Sequence, residues 1–334
     1  MNMTLYPVEK ENKYGYVNIN GDVVIPFRFD FADEFENNMA FVEVDGLCGF
    51  IDEDGEYLVK PKYDDINYFN EGMAVVEINH RYGYINPKGE ELISIKYEDA
   101  KGFTKGLAAV KLLGKYGYIN YKGEMVIKPT FDEANEFNEN ELALVKKGEK
   151  YGYIDSEGKL AIDLIYDFAN DFIDGLAAVA VGEEYFFIDE KGNKAIQGDF
   201  DFIGNFNEGF APVSVEDTWG FVDLQGNMVI EPKYHWTDSF SNGYAVISMD
   251  DKYGFIDKNG NIIIEPKYDN VFDFSEDLFA VEVNGLWGYV DINDNIIISP
   301  KFEEAENIIN GVAKVKYKGK ETYIKKDGSF ILNS

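Results

Sequence analysis

One interval constrains the fold of this chain more than any other feature. An aromatic residue followed by Gly recurs with its first member at Tyr14, Cys48, Tyr82, Tyr116, Tyr151, Tyr185, Trp219, Tyr253, Trp287 and Glu321, where Cys48 and Glu321 are degenerate copies in register. Eight of the nine spacings are 34 residues and one is 35, the extra residue lying near Asn140 and Glu141. Self-similarity at such a period marks a repeat architecture, because a unit this small buries its apolar face only against its neighbours.

Each column of the repeat has a physical reading. Gly follows the anchor in eight of ten copies and is missing only at Phe186 and Thr322. Within a strand, Gly marks a bulge or a close approach of neighbouring backbone. Two residues after the anchor stands Tyr or Phe in every copy, then Val or Ile, which is strand composition. Asn or Asp comes next in nine of ten copies, and Gly three residues later, as at Gly21, Gly89 and Gly123. Asx opens a turn by bonding its own backbone and Gly supplies positive φ, so the pair predicts a β-hairpin. The second arm runs into Pro61, Pro129, Pro232, Pro266 or Pro300. Pro lacks an N–H, so it is expected to end the ladder.

Fifteen residues after the anchor lies an aromatic in all nine complete copies, from Phe29 to Phe302. These residues are expected in the core. A small or branched residue follows three positions on, and Phe three beyond that in eight of nine copies. Spacing by three predicts one helical turn. The acid after the first aromatic suits a helix N-terminus, and the Gly, Asn or Asp at Asn38, Gly72, Gly106 and their equivalents suits a left-handed cap.

The chain is therefore read as a single array over residues 1–334. Its units span 5–38, 39–72, 73–106, 107–141, 142–175, 176–209, 210–243, 244–277, 278–311 and 312–334. The frame "YGYIDxxGxxVIxPKYDxAxxFxxGLAAV" resembles the bacterial WG-repeat family, also called KWG. The eponymous pair survives at Trp219-Gly220 and Trp287-Gly288. The resemblance runs from Leu5 to the C-terminus, implies a repeat protein for protein or ligand binding, and brings no catalytic motif with it. The fold class is all-β. The expected architecture is an open curved array, a solenoid or superhelix, of ten three-stranded antiparallel units with one helical turn between units. The alternative is a β-propeller-like closed ring, disfavoured because blades usually have four strands and number about four to eight.

Formal net charge is −31, which repels phosphates and anionic lipid, so nucleic acid is not an expected partner. The one cysteine, Cys48, excludes an internal disulfide framework. The start, "MNMTLYPVEKENKYGY", shows no secretion signal, and no run of about 18 apolar residues occurs, so a cytoplasmic protein with no membrane insertion is expected.

No catalytic, cofactor or metal site is expected. The two histidines, His80 and His235, lie in different units, and Cys48 fills an otherwise aromatic column. One Asp per 34 residues is too sparse for calcium. The candidate binding residues are His80 with its neighbour Arg81, His235 beside Trp236, and Tyr121 and Tyr68, aromatics in polar surroundings. The loop before each anchor varies freely ("EKEN", "EINH", "SVED") and should line one edge of the stack. The expected function is a non-enzymatic scaffold engaging a basic protein partner through that edge, in an inhibitor or immunity-like role. The alternative is a carbohydrate or cell-envelope ligand binder.

Overall fold

The Asx-Gly signal folds as the sequence predicts. The side-chain oxygen of Asn120 accepts from the N–H groups of Lys122 (3.0 Å) and Glu124 (3.1 Å), and Gly123 donates its N–H to the Asn120 carbonyl at 2.8 Å. Gly123 takes φ +74°, and a side chain there would press on Ile93 of the preceding sheet. The turn joins Lys115–Asn120 to Met125–Phe131, and Leu107–Leu112 pairs antiparallel with the first, making a meander.

The Gly after the anchor marks a bulge. Tyr116 faces Phe131 and Tyr118 faces Ile127, so a two-residue advance on one strand meets a four-residue advance on the other. The crowded backbone leaves no room for a Cβ on Gly117, which would lie 2.3 Å from the Ile127 carbonyl oxygen. Pro129 sits in this bulge, where no N–H is needed, and the strand runs through it rather than ending there. Where Phe186 replaces the Gly, Phe186 and Phe187 face Gln197 and Ile196 in plain register, and the partner strand shortens to Lys194–Gln197.

The computed structural model describes residues 4–331, and no helix occurs among them. The reading of a leader-free start at residues 1–3 and the last three positions of the final unit fall outside the described residues. The expected helical turn is extended chain. After Phe131 the backbone bends at Asp132, and Glu133–Ala134 joins the following sheet. The N–H groups of Asp132, Asn135 and Asn138 donate to the carbonyls of Lys146, Leu144 and Leu142 at 2.8, 2.9 and 2.9 Å. Three residues advance on one side for every two on the other, a run of bulges that turns a strand's period of two into three. Asp64, Asn67 and Asn70 repeat the pattern against Glu77, Val75 and Met73. The supposed cap column is part of a two-residue hairpin turn. Glu71 and Gly72 take φ 48° and 79°, and Lys105 and Gly106 take 53° and 80°, the paired positive φ of a type I′ turn.

These corrections change the architecture. The chain divides into two compact units between Asp171 and Phe172. In the first, a three-stranded sheet (Tyr6–Lys10, Lys13–Val17, Val23–Phe29) is followed by sheets over 31–63, 65–97, 99–131 and 133–166, each a leading strand and a three-stranded meander in chain order. In the second, the meander Leu176–Val181, Glu184–Asp189, Lys194–Gln197 precedes four-stranded sheets over 202–234, 236–268 and 270–302. A three-stranded sheet of Glu304–Ala305, Val312–Tyr317 and Lys320–Lys325 closes it. Four-stranded antiparallel meanders of this kind are β-propeller blades. The open solenoid of three-stranded units with helical turns is therefore replaced by propeller blades without helices. A sequence unit such as 107–141 supplies three strands of one blade and the leading strand of the next.

The core lies between blades. The aromatics fifteen residues after the anchor are buried, from Phe29 and Tyr63 to Tyr268 and Phe302. Tyr84 and Tyr118, two residues after theirs, are wholly buried. Their rings meet Phe103 and Phe137 at 4.9 and 5.0 Å, and their hydroxyls donate to the carbonyls of Lys101 and Asn135, each at 2.8 Å.

The turns also carry strain that can be measured. Leu113 is 89% exposed and holds φ 53°, a left-handed conformation costing an ordinary side chain about 1–2 kcal/mol. Leu113→Asn is expected to raise stability by about 0.5–1 kcal/mol, because Asn tolerates this conformation. The check is the urea midpoint, which should rise; an unchanged midpoint would show the turn to be relaxed.

Candidate functional site

Each four-stranded blade carries a two-residue hairpin between its second and third strands, the first sheet carries one between its first and second, and these tips are the variable loops of the sequence. The acid once assigned to a helix N-terminus holds them. Asp30 accepts from the Asp45 N–H at 2.7 Å, Asp64 from the Asn79 N–H at 2.6 Å, and Glu98 from both Leu113 and Gly114 at 3.1 and 2.8 Å. In the second unit, Glu303 holds the Gly319 N–H in the same way. Lysines brace several of these acids: Lys13 bonds Asp30, Lys115 bonds Asp132 and Lys252 bonds Asp269. The Lys13 ammonium and the Asp45 N–H together hold Asp30 below the usual carboxylate range, and Lys115 with Gly148 does the same for Asp132. The backbone of these tips is thereby fixed, while their side chains differ from blade to blade and face solvent.

The six candidate residues do not converge on one site. His80 is at a tip, with φ 58° and a side chain 98% exposed, its Nδ1 3.1 Å from Glu77 Oε1. Arg81 beside it is exposed. His235 stands in the tip-holding column, and its Nδ1 accepts from the Asp250 N–H at 3.2 Å. The histidine thus does an acid's task, which assigns its remaining proton to Nε2. Trp236 is 41% exposed, with its ring 6.2 Å from that of Tyr253.

Tyr121 and Tyr68 act as braces. Tyr121 stacks on Phe103 and donates to Glu71 Oε2 at 2.7 Å. Glu71 also accepts from the N–H groups of Lys105 and Gly106 in the following blade, at 2.9 and 3.0 Å. Burial pushes Glu71 up, but these donors more than offset it and hold the carboxyl below its ordinary range. Tyr68 is half-buried against Phe50, its hydroxyl reaches the Glu34 carbonyl at 3.3 Å, and burial pushes its phenol up to about 12. Cys48 is buried as the sequence suggests for a substituted anchor, its thiol raised to about 11 by burial.

The second unit also contains two cavities that the sequence did not indicate. One, of about 280 Å³, is lined by Phe272, Trp287, Val315 and a set of paired charges, Lys314 with Glu321 at 2.9 Å and Lys316 with Glu304 at 2.6 Å. The other, of about 270 Å³, has walls from Trp236, Tyr253 and Phe272 and polar groups from Asp238, Asn270, Asp273 and Asn307. Asp238, Asp273 and Asn307 stand nineteen or twenty residues after their anchors, between two buried columns. A polar column flanked by core positions is the signal that would have found them.

The profile of the family described as WG containing repeat matches residues 14–48, 49–80, 82–116, 116–151, 151–185, 185–219, 219–253, 253–287 and 287–320. No curated protein matches the sequence. Among similar solved structures, a crystal structure of a eukaryotic initiation factor aligns with a TM-score of 0.58 at 11% identity, over 99% of this chain and 95% of that one. The dihydro-heme d1 dehydrogenase NirN in complex with DHE gives 0.43 at 10% identity, over 91% and 78%. Hsv2p of Kluyveromyces lactis gives 0.38 at 11%, over 67% and 91%. The first likeness bears on fold alone, and the other two are too distant to argue from.

Proposed function

We propose, from the premise that this chain belongs to the WG-repeat family, that it is a non-enzymatic scaffold that binds a protein with a basic surface through its hairpin tips. A propeller built of WG repeats suits a binding or scaffold role in general. The observation that carries the finer reading is the tips themselves. One column of side chains holds several of them alike, as at Asp45-Gly46, Asn79-His80 and Leu113-Gly114 in the first unit and Asp250-Asp251 and Asn284-Gly285 in the second, while the exposed residues change. A rigid frame presenting variable side chains is how repeat proteins build a recognition surface. An inhibitor or immunity-like role toward a basic protein is one form of this reading.

Charge supports the sign of the partner. At −31 the chain steers cations over a Debye length of about 10 Å at 0.1 M salt. Steering acts on arrival more than on departure. With a partner captured from native lysate, association is expected to slow markedly between about 50 and 300 mM salt while dissociation changes little. Neutralising Asp250 and Asp251 together should weaken that dependence, since it removes two of the charges that steer. An association rate indifferent to salt would mean that the acidity serves solubility, and the reading would fall.

A further inference from the structure

The cavity bounded by Trp236, Tyr253 and Phe272 takes its polar groups from two carboxylates and two amides. Asp238 and Asp273 enter it as carboxylates, and no lysine or arginine lines it. The Asp238 carboxylate accepts from the Ser239 N–H at 2.7 Å, and Ser241 is the side-chain partner of Asp273. Asn307 lines the same cavity, and its side-chain oxygen is shut off from solvent and has no hydrogen-bond partner among the described residues. An unmet buried acceptor costs about 1–3 kcal/mol, so such a group calls for a donor. Burial and the Asp238 charge both push the Asp273 carboxyl above its ordinary range, and the Ser241 hydrogen bond opposes them without cancelling the rise.

Two other places in the molecule show how this chain treats the same problem. In the cavity next along the second unit, Lys314 and Lys316 pair with Glu321 and Glu304. In the first unit, the equivalent column carries a ladder across three blades: Lys101 Nζ donates to Asn135 Oδ1 at 3.0 Å, and Asn135 Nδ2 donates to Asp171 Oδ2 at 2.9 Å. There burial pushes Asp171 up, and the Asn135 amide and then the Lys101 ammonium oppose the rise without cancelling it. Lys101 stands nineteen residues after its anchor Tyr82, and Asp238 nineteen after Trp219. The position that supplies an ammonium at Lys101 supplies a carboxylate at Asp238, and no lysine or arginine lines the cavity there.

We propose that this cavity binds a primary alkylammonium group, as a free amine or as the end of a lysine side chain. An ammonium has three N–H donors and no acceptor, which suits two carboxylates and one amide oxygen. The three aromatic walls suit its alkyl stem and add cation–π attraction. At about 270 Å³ the cavity has room for a short chain and not for a large ligand.

The test is a titration of the full chain with n-butylammonium and, separately, with lysine blocked at both backbone ends, followed by the indole N–H resonance of Trp236 and by calorimetry. Saturable binding of either probe is expected, and the tighter one identifies the source of the group. Asp238→Asn with Asp273→Asn should weaken binding tenfold or more, as expected when two charge-assisted hydrogen bonds are lost. Tetramethylammonium, which has no N–H, should be weaker than butylammonium by a similar factor. Asp238→Lys restores the arrangement of the first unit, and it should abolish binding while raising the melting temperature. The Asn variants remove buried charge that is repelled, so they should melt no lower than the parent chain. Failure of both probes to bind, or equal binding by the doubly substituted chain, would overturn the proposal.

Discussion

Gly220→Ala is expected to destabilise the second unit by about 3 kcal/mol or more, at the upper end of what overpacking does. A Cβ there would lie 2.3 Å from the Ile230 carbonyl oxygen, 2.7 Å from the Pro232 nitrogen and 2.9 Å from the Glu231 carbonyl carbon. All three are backbone atoms, so no rotamer change relieves the clash. Relief requires the bulge to open, which breaks the register that sets Trp219 opposite Tyr234 and Phe221 opposite Ile230. The control is Gly285→Ala. No atom lies within 4 Å of a Cβ at that position, although φ is +79°, so its cost is the left-handed conformation alone, about 1–2 kcal/mol. All three tryptophans, Trp219, Trp236 and Trp287, belong to the second unit, so their fluorescence in urea reports on it directly. If Gly220→Ala unfolds at the same urea concentration as the parent, the close approach is not what keeps that column Gly.

Much of the blade was legible because its signals are local. The Asn120–Gly123 turn closes on itself within five residues, so composition specifies it without help from the rest of the chain. The Gly after the anchor was equally readable as a close approach, and Phe186 supplies the converse, since the bulge disappears where the Gly does. The helical turn was misread for a reason that lies in pairing. Residues 132–138 repeat by three because Lys146, Leu144 and Leu142 on the partner strand recede by two. A helix produces the same spacing of buried residues, and nothing inside the segment separates the two cases. Left-handed residues after such a stretch are equally ambiguous, since a helix cap and a type I′ turn both need them. The acid column was misassigned with it, because its real acceptor task lies fifteen residues ahead, as Asp64 shows with the Asn79 N–H.

The candidate site was less legible. Tyr121 is 44% exposed and Tyr68 is half-buried, and both hydroxyls are engaged, one by Glu34 and one by Glu71 from other blades. Exposure of an aromatic depends on what neighbouring blades bring against it, and single-chain spacing does not encode that. Trp236 was found, but its companions Asp238, Asp273 and Asn307 were not, because the cavity forms from three blades at once. Sequence columns describe what blades share. The cavity draws on a column that the blades do not share, with Asp33, Lys101, Asn135 and Asp238 at equivalent positions.

Tyr84→Ala should cost about 3–5 kcal/mol, in the range of large-to-small changes at aromatic core positions. The ring is wholly buried and meets Phe103, which is itself wholly buried and stacked under Tyr121. Removing it empties the seam between two blades, and the loss is shared because each blade has no other partner for that face. Tyr84→Phe should cost about 1 kcal/mol, since it keeps the ring and removes only the hydroxyl that donates to the Lys101 carbonyl. The family of copies already contains this experiment, because Phe50 and Phe187 occupy the same column without a hydroxyl and are equally buried. The two variants therefore separate the column's roles: the ring closes the seam, and the hydroxyl ties it to the bulged segment of the next blade. Far-UV circular dichroism in urea reads both. Equal losses in the two variants would mean that the hydrogen bond, and not the packed ring, holds adjacent blades together.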